Sequence, residues 1–447
     1  MSLQWDPWDW QNYPIAQQPT WHSRDELDAV RRELSLRAPL VFPREIDSLK
    51  RGLARAAHGK AFVLQAGDCA ESFNDHSAAT IRAKLRVILQ MAVVLTYSSG
   101  VSVVKIGRIA GQYAKPRSSE TEVHHGVQIP VFRGHIVHDD RPTLEARRPD
   151  PQRMLTAYDL SRATVSTVKA LTEGGFSDLS RAHSWNQDFV ASSPEGERYE
   201  SIAAEIERAL HFMAACGIDL SKEEVLHQIT LWTSHEALLL GYEAALTRLD
   251  PASQRFYDLS AHQLWIGDRT RDPKGAHVRF VSGVANPIGV KVGPSMGISD
   301  LLDVCRELDP DREPGRLMLV ARMGRGAVRD KLGDLVTAVR DAGHPVVWLC
   351  DPMHGNTFLS EAGYKTRDFE DIMDEISGFF EVHRRLGTWP GGIHIELTGQ
   401  DVTECLGGGE EVLEEELSRA YDTICDPRLN ARQSLDLAYR VAELLIR

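Results

Sequence analysis

Residues 287–293, PIGVKVG, form an almost unbroken apolar run with one lysine, Lys291, set inside it. A strand covered on one face alternates apolar and polar residues, whereas a strand covered on both faces reads as a continuous run, the mark of a parallel sheet between helices. Seven further runs share this character: 61–67 (AFVLQAG), 102–108 (SVVKIGR), 228–234 (QITLWTS), 262–267 (HQLWIG), 316–323 (RLMLVARM), 345–351 (PVVWLCD) and 392–398 (GIHIELT). Helical periodicity separates several of them. In 199–213, Tyr199, Ile202, Ile206, Ala209 and Met213 recur at helical spacing, with Gly217 beyond as a stop. Strands and helices in alternation fit an open doubly wound sheet or a closed (β/α)8 TIM barrel, and the count of eight strands favours the barrel.

Working outward, the interval between the second and third runs is too long for one helix. Residues from about 120 to 227 are therefore expected to add helices outside the barrel, within a catalytic unit spanning 61–447. Residues 1–60, aromatic and then basic (RDELDAVRRELSLR), read as an N-terminal extension packing on the barrel or on a partner subunit. At 447 residues a single elaborated barrel is within range. No apolar stretch approaches the roughly 20 residues that span a bilayer. The start, MSLQWDPWDWQNYP, is acidic and aromatic where a secretory signal would be basic and then apolar, so a cytoplasmic location is expected. Six dispersed cysteines do not resemble a disulfide scaffold. The net charge of −13 argues against a nucleic-acid-binding face and makes the local basic cluster Lys105, Arg108, Lys115 and Arg117 more informative.

The polar residues gather where the apolar runs end. Cys69 follows the first, Arg108 ends the second, Asp268 and Arg269 follow the fourth, Lys291 lies in the fifth, Arg322 ends the sixth, His354 follows the seventh and Glu396 lies in the eighth. In a barrel these ends meet at one mouth. The cations Arg108, Lys115, Arg269, Lys291 and Arg322 would repel one another there unless anions were bound, and phosphate or carboxylate suits a mixture of planar forks and point charges. Cys69, His354, Glu396 and Asp426 together offer sulfur, nitrogen and oxygen, a set suited to a borderline divalent transition metal. Taken singly, each of these is more often structural, and no compact HxxxH or CxxC spacing singles out a metal.

The same segments resemble the class II (plant-like) 3-deoxy-D-arabino-heptulosonate 7-phosphate (DAHP) synthases, enzymes that begin the shikimate route to aromatic amino acids. The likeness runs from about residue 60 to the C-terminus through QAGDCAE (65–71), KIGRIAGQYAKPRS (105–118), WTSHEALLLGYE (232–243), WIGDRTR (265–271), ANPIGVKVGP (285–294), CDPMHGNT (350–357), GGIHIELTGQDVTECLGG (391–408) and CDPRLN (425–430). It implies a barrel transferase that condenses phosphoenolpyruvate with erythrose 4-phosphate and water. It also implies a divalent metal, Mn²⁺ or Co²⁺ first and Cd²⁺, Fe²⁺ or Zn²⁺ after them, on Cys69, His354, Glu396 and Asp426. Phosphoenolpyruvate contacts carry over to Arg108, Lys115, Arg269, Lys291 and Arg322, with Trp265 and Asp268 of WIGDRTR in the same substrate set, and Arg117 and Ser118 carry over to the aldose phosphate. Lys291, or water near Asp268, becomes the candidate proton carrier, and Cys69 is catalytic through the metal. A homo-oligomer, dimer or tetramer, and a chorismate-mutase-type partner belong to the same expectation.

Three departures bear on this resemblance. Position 268 is Asp where the family usually has Glu; 132–139 reads FRGHIVHD where YRGDMVNG is common; and RGAVR follows Met323-Gly324 in place of NHKVR. All three are expected near the substrate mouth. They motivate an alternative, an amino-DAHP synthase of specialised metabolism that takes an imino form of erythrose 4-phosphate. A non-catalytic regulatory paralogue and a metal phosphohydrolase are readings from other classes. Cys425, next to the proposed ligand Asp426, is expected to approach Cys69, so that oxidation could pair them and expel the metal.

Overall fold

The computed structural model describes residues 5–173, 182, 185, 193–216, 230–409 and 412–446. Eight parallel strands close into a barrel in the chain order β1 (Phe62–Gly67), β2 (Val103–Arg108), β5 (Trp232–Glu236), β8 (Gln263–Ile266), β9 (Ile288–Val292), β10 (Leu317–Ala321), β11 (Val347–Cys350) and β14 (Gly392–Glu396), with β14 hydrogen-bonded back to β1. The remaining strands form short antiparallel hairpins outside it: β3–β4 (Thr121–His124, Val127–Pro130), β6–β7 (Thr247–Leu249, Phe256–Asp258) and β12–β13 (Thr357–Leu359, Lys365–Arg367).

The barrel matches the expected (β/α)8 class, and seven strands fall inside their expected segments. The third does not: it occupies Trp232–Glu236 rather than 228–234, and residues 228 and 229 lie outside the described part. Its polar end is Ser234-His235-Glu236, of which only Ser234 falls inside the expected run. In the fold those side chains are buried, Ser234 Oγ donating to the Gly107 carbonyl at 3.0 Å and His235 meeting Glu243 at 3.0 Å.

The barrel interior changes character from floor to mouth. Helix α2 (Pro43–Ala57) seals the floor, its Leu49, Leu53 and Ala56 packing with the inward-facing Val63, Val104, Ile106, Met318, Val320, Val347 and Leu349. Above this lies a polar layer, where Gln65 Nε2 donates to Ser234 Oγ (3.0 Å) and Gln263 Oε1 (2.8 Å), and its own oxygen accepts from His394 Nδ1 (2.9 Å). The charged groups come last, at the C-terminal strand ends. Leu53 is fully buried with many apolar neighbours, so Leu53→Ala is expected to lower stability by about 2–5 kcal/mol in equilibrium unfolding. A loss below about 1 kcal/mol would mean that α2 does not carry the floor.

The 5–60 segment lies along the barrel. Trp5 packs edge-on to Phe256 at 5.0 Å, Asp9 pairs with Arg279 at 2.9 Å, and Gln17 Oε1 accepts from the Arg117 backbone at 2.8 Å. Within 120–227 the described residues form the β3–β4 hairpin and two helices, Arg153–Glu173 and Pro194–Ala215. Among the described residues no helix is long and apolar enough to cross a membrane.

Candidate active site and metal centre

Three donors meet at the mouth. His354 follows β11, Glu396 ends β14 and Asp426 lies in the loop before the last helix, and their ligating atoms all lie within 4.8 Å of one another. Asp351 accepts from His354 Nδ1 at 2.8 Å, which leaves Nε2 aimed at Glu396 Oε1, 3.1 Å away. This is the arrangement in which a carboxylate fixes a histidine's tautomer for metal binding. Burial raises the proton affinity of Glu396, but His354, Lys115, Arg367 and Arg108 outweigh it and hold the carboxyl well below its usual range. The Lys115 ammonium lies 3.4 Å from His354 Nε2, 3.0 Å from Glu396 Oε1 and 2.7 Å from Asp426 Oδ2, so the donors already converge on one positive charge. The imidazole and two carboxylates fit a divalent ion.

Cys69, the fourth expected donor, lies beside that cluster, against the backbone of Asp426. Its buried thiol is engaged from the side, accepting from Asp426 N at 3.2 Å and lying 3.6 Å from Thr423 Oγ1. Burial pushes the thiol well above its ordinary value, so it would have to lose a proton to join the ligands. Cys69 also donates to Cys425, and that contact, with Arg117 at 2.9 Å, lowers the Cys425 thiol to about 7. Alkylation of Cys425 in metal-free protein should therefore accelerate as pH rises through about 7. Bound metal should protect both thiols. A rate midpoint near 9 in a peptide-mapped alkylation series would overturn this.

All nine residues expected to bind substrate line a single cavity over the donors: Arg108, Lys115, Arg117, Ser118, Trp265, Asp268, Arg269, Lys291 and Arg322. Arg108 is held by the Asp68 carbonyl (2.9 Å), Glu396 (2.9 Å) and the Trp265 face (5.2 Å). Lys291 pairs with Asp351 at 2.5 Å, and burial, partly offset by that carboxylate, lowers its ammonium to about 8. Asp268 is shared between Arg271 (2.8 Å) and Arg322 (3.4 Å), and Arg322 also donates to the His354 carbonyl (2.9 Å). Arg269 is exposed at the rim.

Of the three departures, only Asp268 reaches the cavity wall. The 132–139 turn stands behind it: the Arg133 carbonyl accepts from Lys115 N at 3.0 Å, and both histidines turn inward. His135 Nδ1 accepts from Phe73 N (2.7 Å) and His138 Nε2 from Arg133 N (3.1 Å). Gly134 sits at φ +106°, where a Cβ would meet the Tyr113 carbonyl at 2.0 Å. Arg325 of RGAVR pairs with Asp371 at 3.0 Å, also off the cavity wall. The three departures thus lie near the mouth as expected, one on the cavity wall and two behind it, where His135 and Arg325 engage Phe73 and Asp371.

Several site residues were not singled out in the sequence, though some lie inside the quoted motifs. Lys365 pairs with Asp426, Arg367 with Glu396, and Glu236, Gln112 and Thr357 line the cavity. Asp351, three residues before His354 at a strand end, was the one that spacing could have found.

A family model described as the class-II DAHP synthetase family matches residues 5–442. Phospho-2-dehydro-3-deoxyheptonate aldolase of Streptomyces coelicolor is 52% identical over 435 residues, covering 97% of this chain and 96% of that protein. The AroG protein of the same name from Mycolicibacterium smegmatis is 50% identical over 437 residues, covering 97% and 93%. A solved structure of phospho-2-dehydro-3-deoxyheptonate aldolase from Francisella tularensis superposes with a TM-score of 0.50 at 12% identity, over 97% of this chain and 99% of that one, a likeness of fold.

Proposed function

The chain belongs to the class-II DAHP synthetase family and is an enzyme of the DAHP synthase type, and on that premise we propose that it joins phosphoenolpyruvate to unmodified erythrose 4-phosphate at a divalent-ion site. The products are DAHP and phosphate. The single observation that carries this reading is the one cavity that gathers every anticipated anion contact directly above His354 and Asp426. His354, Glu396 and Asp426 would hold the ion, with Cys69 joining on deprotonation. Mn²⁺ or Co²⁺ suits that donor set. When bound, the ion would supply Lewis acidity at the aldehyde.

The chain's own residues do the rest. Arg108, Lys291 and Arg322 are fixed by buried or half-buried partners, so they present their charges to phosphate and carboxylate without reorganising. That holds the nucleophilic C3 of phosphoenolpyruvate against the aldehyde carbon. After the carbon–carbon bond forms, water adds at C2 and phosphate leaves with C–O cleavage. Lys291 is placed to carry a proton to the departing phosphate, and Arg117 and Ser118 at the rim to anchor the aldose phosphate.

Only Asp268 among the departures lies on the wall, and its carboxylate is committed to two arginines. This favours the ordinary aldose over an imino analogue. The test is phosphoenolpyruvate consumption by metal-loaded protein with each aldose. Turnover of the imino form alone would replace the reading, and phosphate release without any aldose would make the protein a phosphohydrolase. A homo-oligomer, a chorismate-mutase-type partner and a cytoplasmic location extend the same proposal.

A further inference from the structure

We infer that Arg367 is the positioning residue of the metal centre: one buried guanidinium ties the three segments bearing His354, Glu396 and Asp426 into a single ligand cradle. This rests on the divalent-ion reading above. Arg367 closes the β12–β13 hairpin, outside the barrel, yet its side chain is fully buried. Nε donates to the Met353 carbonyl at 2.6 Å and to Thr357 Oγ1 at 3.1 Å. One terminal nitrogen donates to the Pro427 carbonyl, and the other to Glu396 Oε2 at 2.9 Å.

Met353 immediately precedes His354, and Pro427 immediately follows Asp426. A single planar group therefore fixes the backbone beside two donors and the carboxylate of the third. Its bond to Glu396 also sorts the two oxygens: Oε2 faces Arg367, while Oε1 faces His354 Nε2 at 3.1 Å and Lys115 at 3.0 Å. One oxygen is thus kept for the ion.

Charge balance alone does not account for this. Arg108 and Lys115 already pair with Glu396, at 2.9 and 3.0 Å. What Arg367 adds is direction. Its rigid fork reaches four acceptors on three separate segments, a geometry that a lysine ammonium on a flexible stem does not reproduce. Second partners of metal ligands commonly change affinity by about 10–100-fold when removed.

The test uses the full-length protein, stripped of metal and titrated with Mn²⁺ against a chromophoric chelator, a readout independent of turnover. Arg367→Lys and Arg367→Gln are both expected to weaken Mn²⁺ binding by roughly 10–100-fold. Excess Mn²⁺ should recover turnover in Arg367→Lys, with KM for phosphoenolpyruvate little changed. Thr357→Val, which removes one of the contacts at Nε, should shift affinity in the same direction by less. Wild-type affinity in Arg367→Lys would reduce the residue to a charge and overturn the proposal. So would variants that fail to fold even with Mn²⁺ present, since that assigns Arg367 to the core. Failure of the parent protein to bind Mn²⁺ or any other divalent ion is a separate outcome, read before any variant is made, and it removes the metal reading itself.

Discussion

Replacing Glu396 with glutamine is expected to abolish divalent-ion binding and to lower kcat/KM by about three orders of magnitude or more. The carboxylate is fully buried and meets Arg108, Lys115, Arg367 and His354 within 3.1 Å. Glutamine keeps the shape but removes the charge on which those groups converge, and its amide nitrogen places a donor opposite donors. Lewis-acid stabilisation is worth several kcal/mol, and each ~1.4 kcal/mol is tenfold in rate. The fold should also weaken, because buried cations stripped of their partner cost about 3–5 kcal/mol. Isothermal titration with Mn²⁺, steady-state kinetics and a melting curve on one preparation would settle the matter. A variant that keeps kcat/KM within tenfold of the parent and binds one ion per chain would sink the assignment of Glu396 as a ligand.

How much of this site could be seen without coordinates follows from the kind of signal each residue carries. Barrel strands are legible because they are covered on both faces, so PIGVKVG and its counterparts stand out as apolar runs. Strand-end residues such as Arg108 and Glu396 are legible for the same reason, since the run beside them gives their place at the mouth. Arg367 and Lys365 are silent: they stand in a short hairpin whose exposed Phe358 and Leu359 break any alternation, and only the return of that hairpin over the barrel brings them to Glu396 and Asp426. The 132–139 turn lies one layer behind the cavity wall. An unusual pair of histidines close in sequence to Lys115 reads as specificity, but a histidine ring can also replace a backbone hydrogen-bond partner, as His138 does within the turn and His135 does toward Phe73.

Lys291 should give the second large effect, and its pH dependence distinguishes two roles. Lys291→Met is expected to lower kcat/KM by about 10²–10⁴-fold, the range for loss of a positioned proton carrier or charge clamp. It also leaves Asp351 without the Lys291 ammonium beside it, and since Asp351 accepts from His354 Nδ1, part of the loss should arise through the histidine. The ammonium is lowered to about 8 by burial, with Asp351 restoring part of the charge. It is therefore cationic below that pH and neutral above it. If the cation holds phosphoenolpyruvate and passes a proton to phosphate, kcat/KM falls as pH rises through about 8. If the neutral amine instead takes a proton from the attacking water, kcat/KM rises through the same pH. Arg cannot become neutral in this range, so Lys291→Arg should retain binding of phosphoenolpyruvate and erase the descending limb while its kcat falls for want of a proton carrier, whereas a neutral-amine role would leave that variant as inactive as Lys291→Met. The location of Lys291 between Asp351 and the other cations of the cavity favours the cationic role, and a descending limb that vanishes in Lys291→Arg is the expected result.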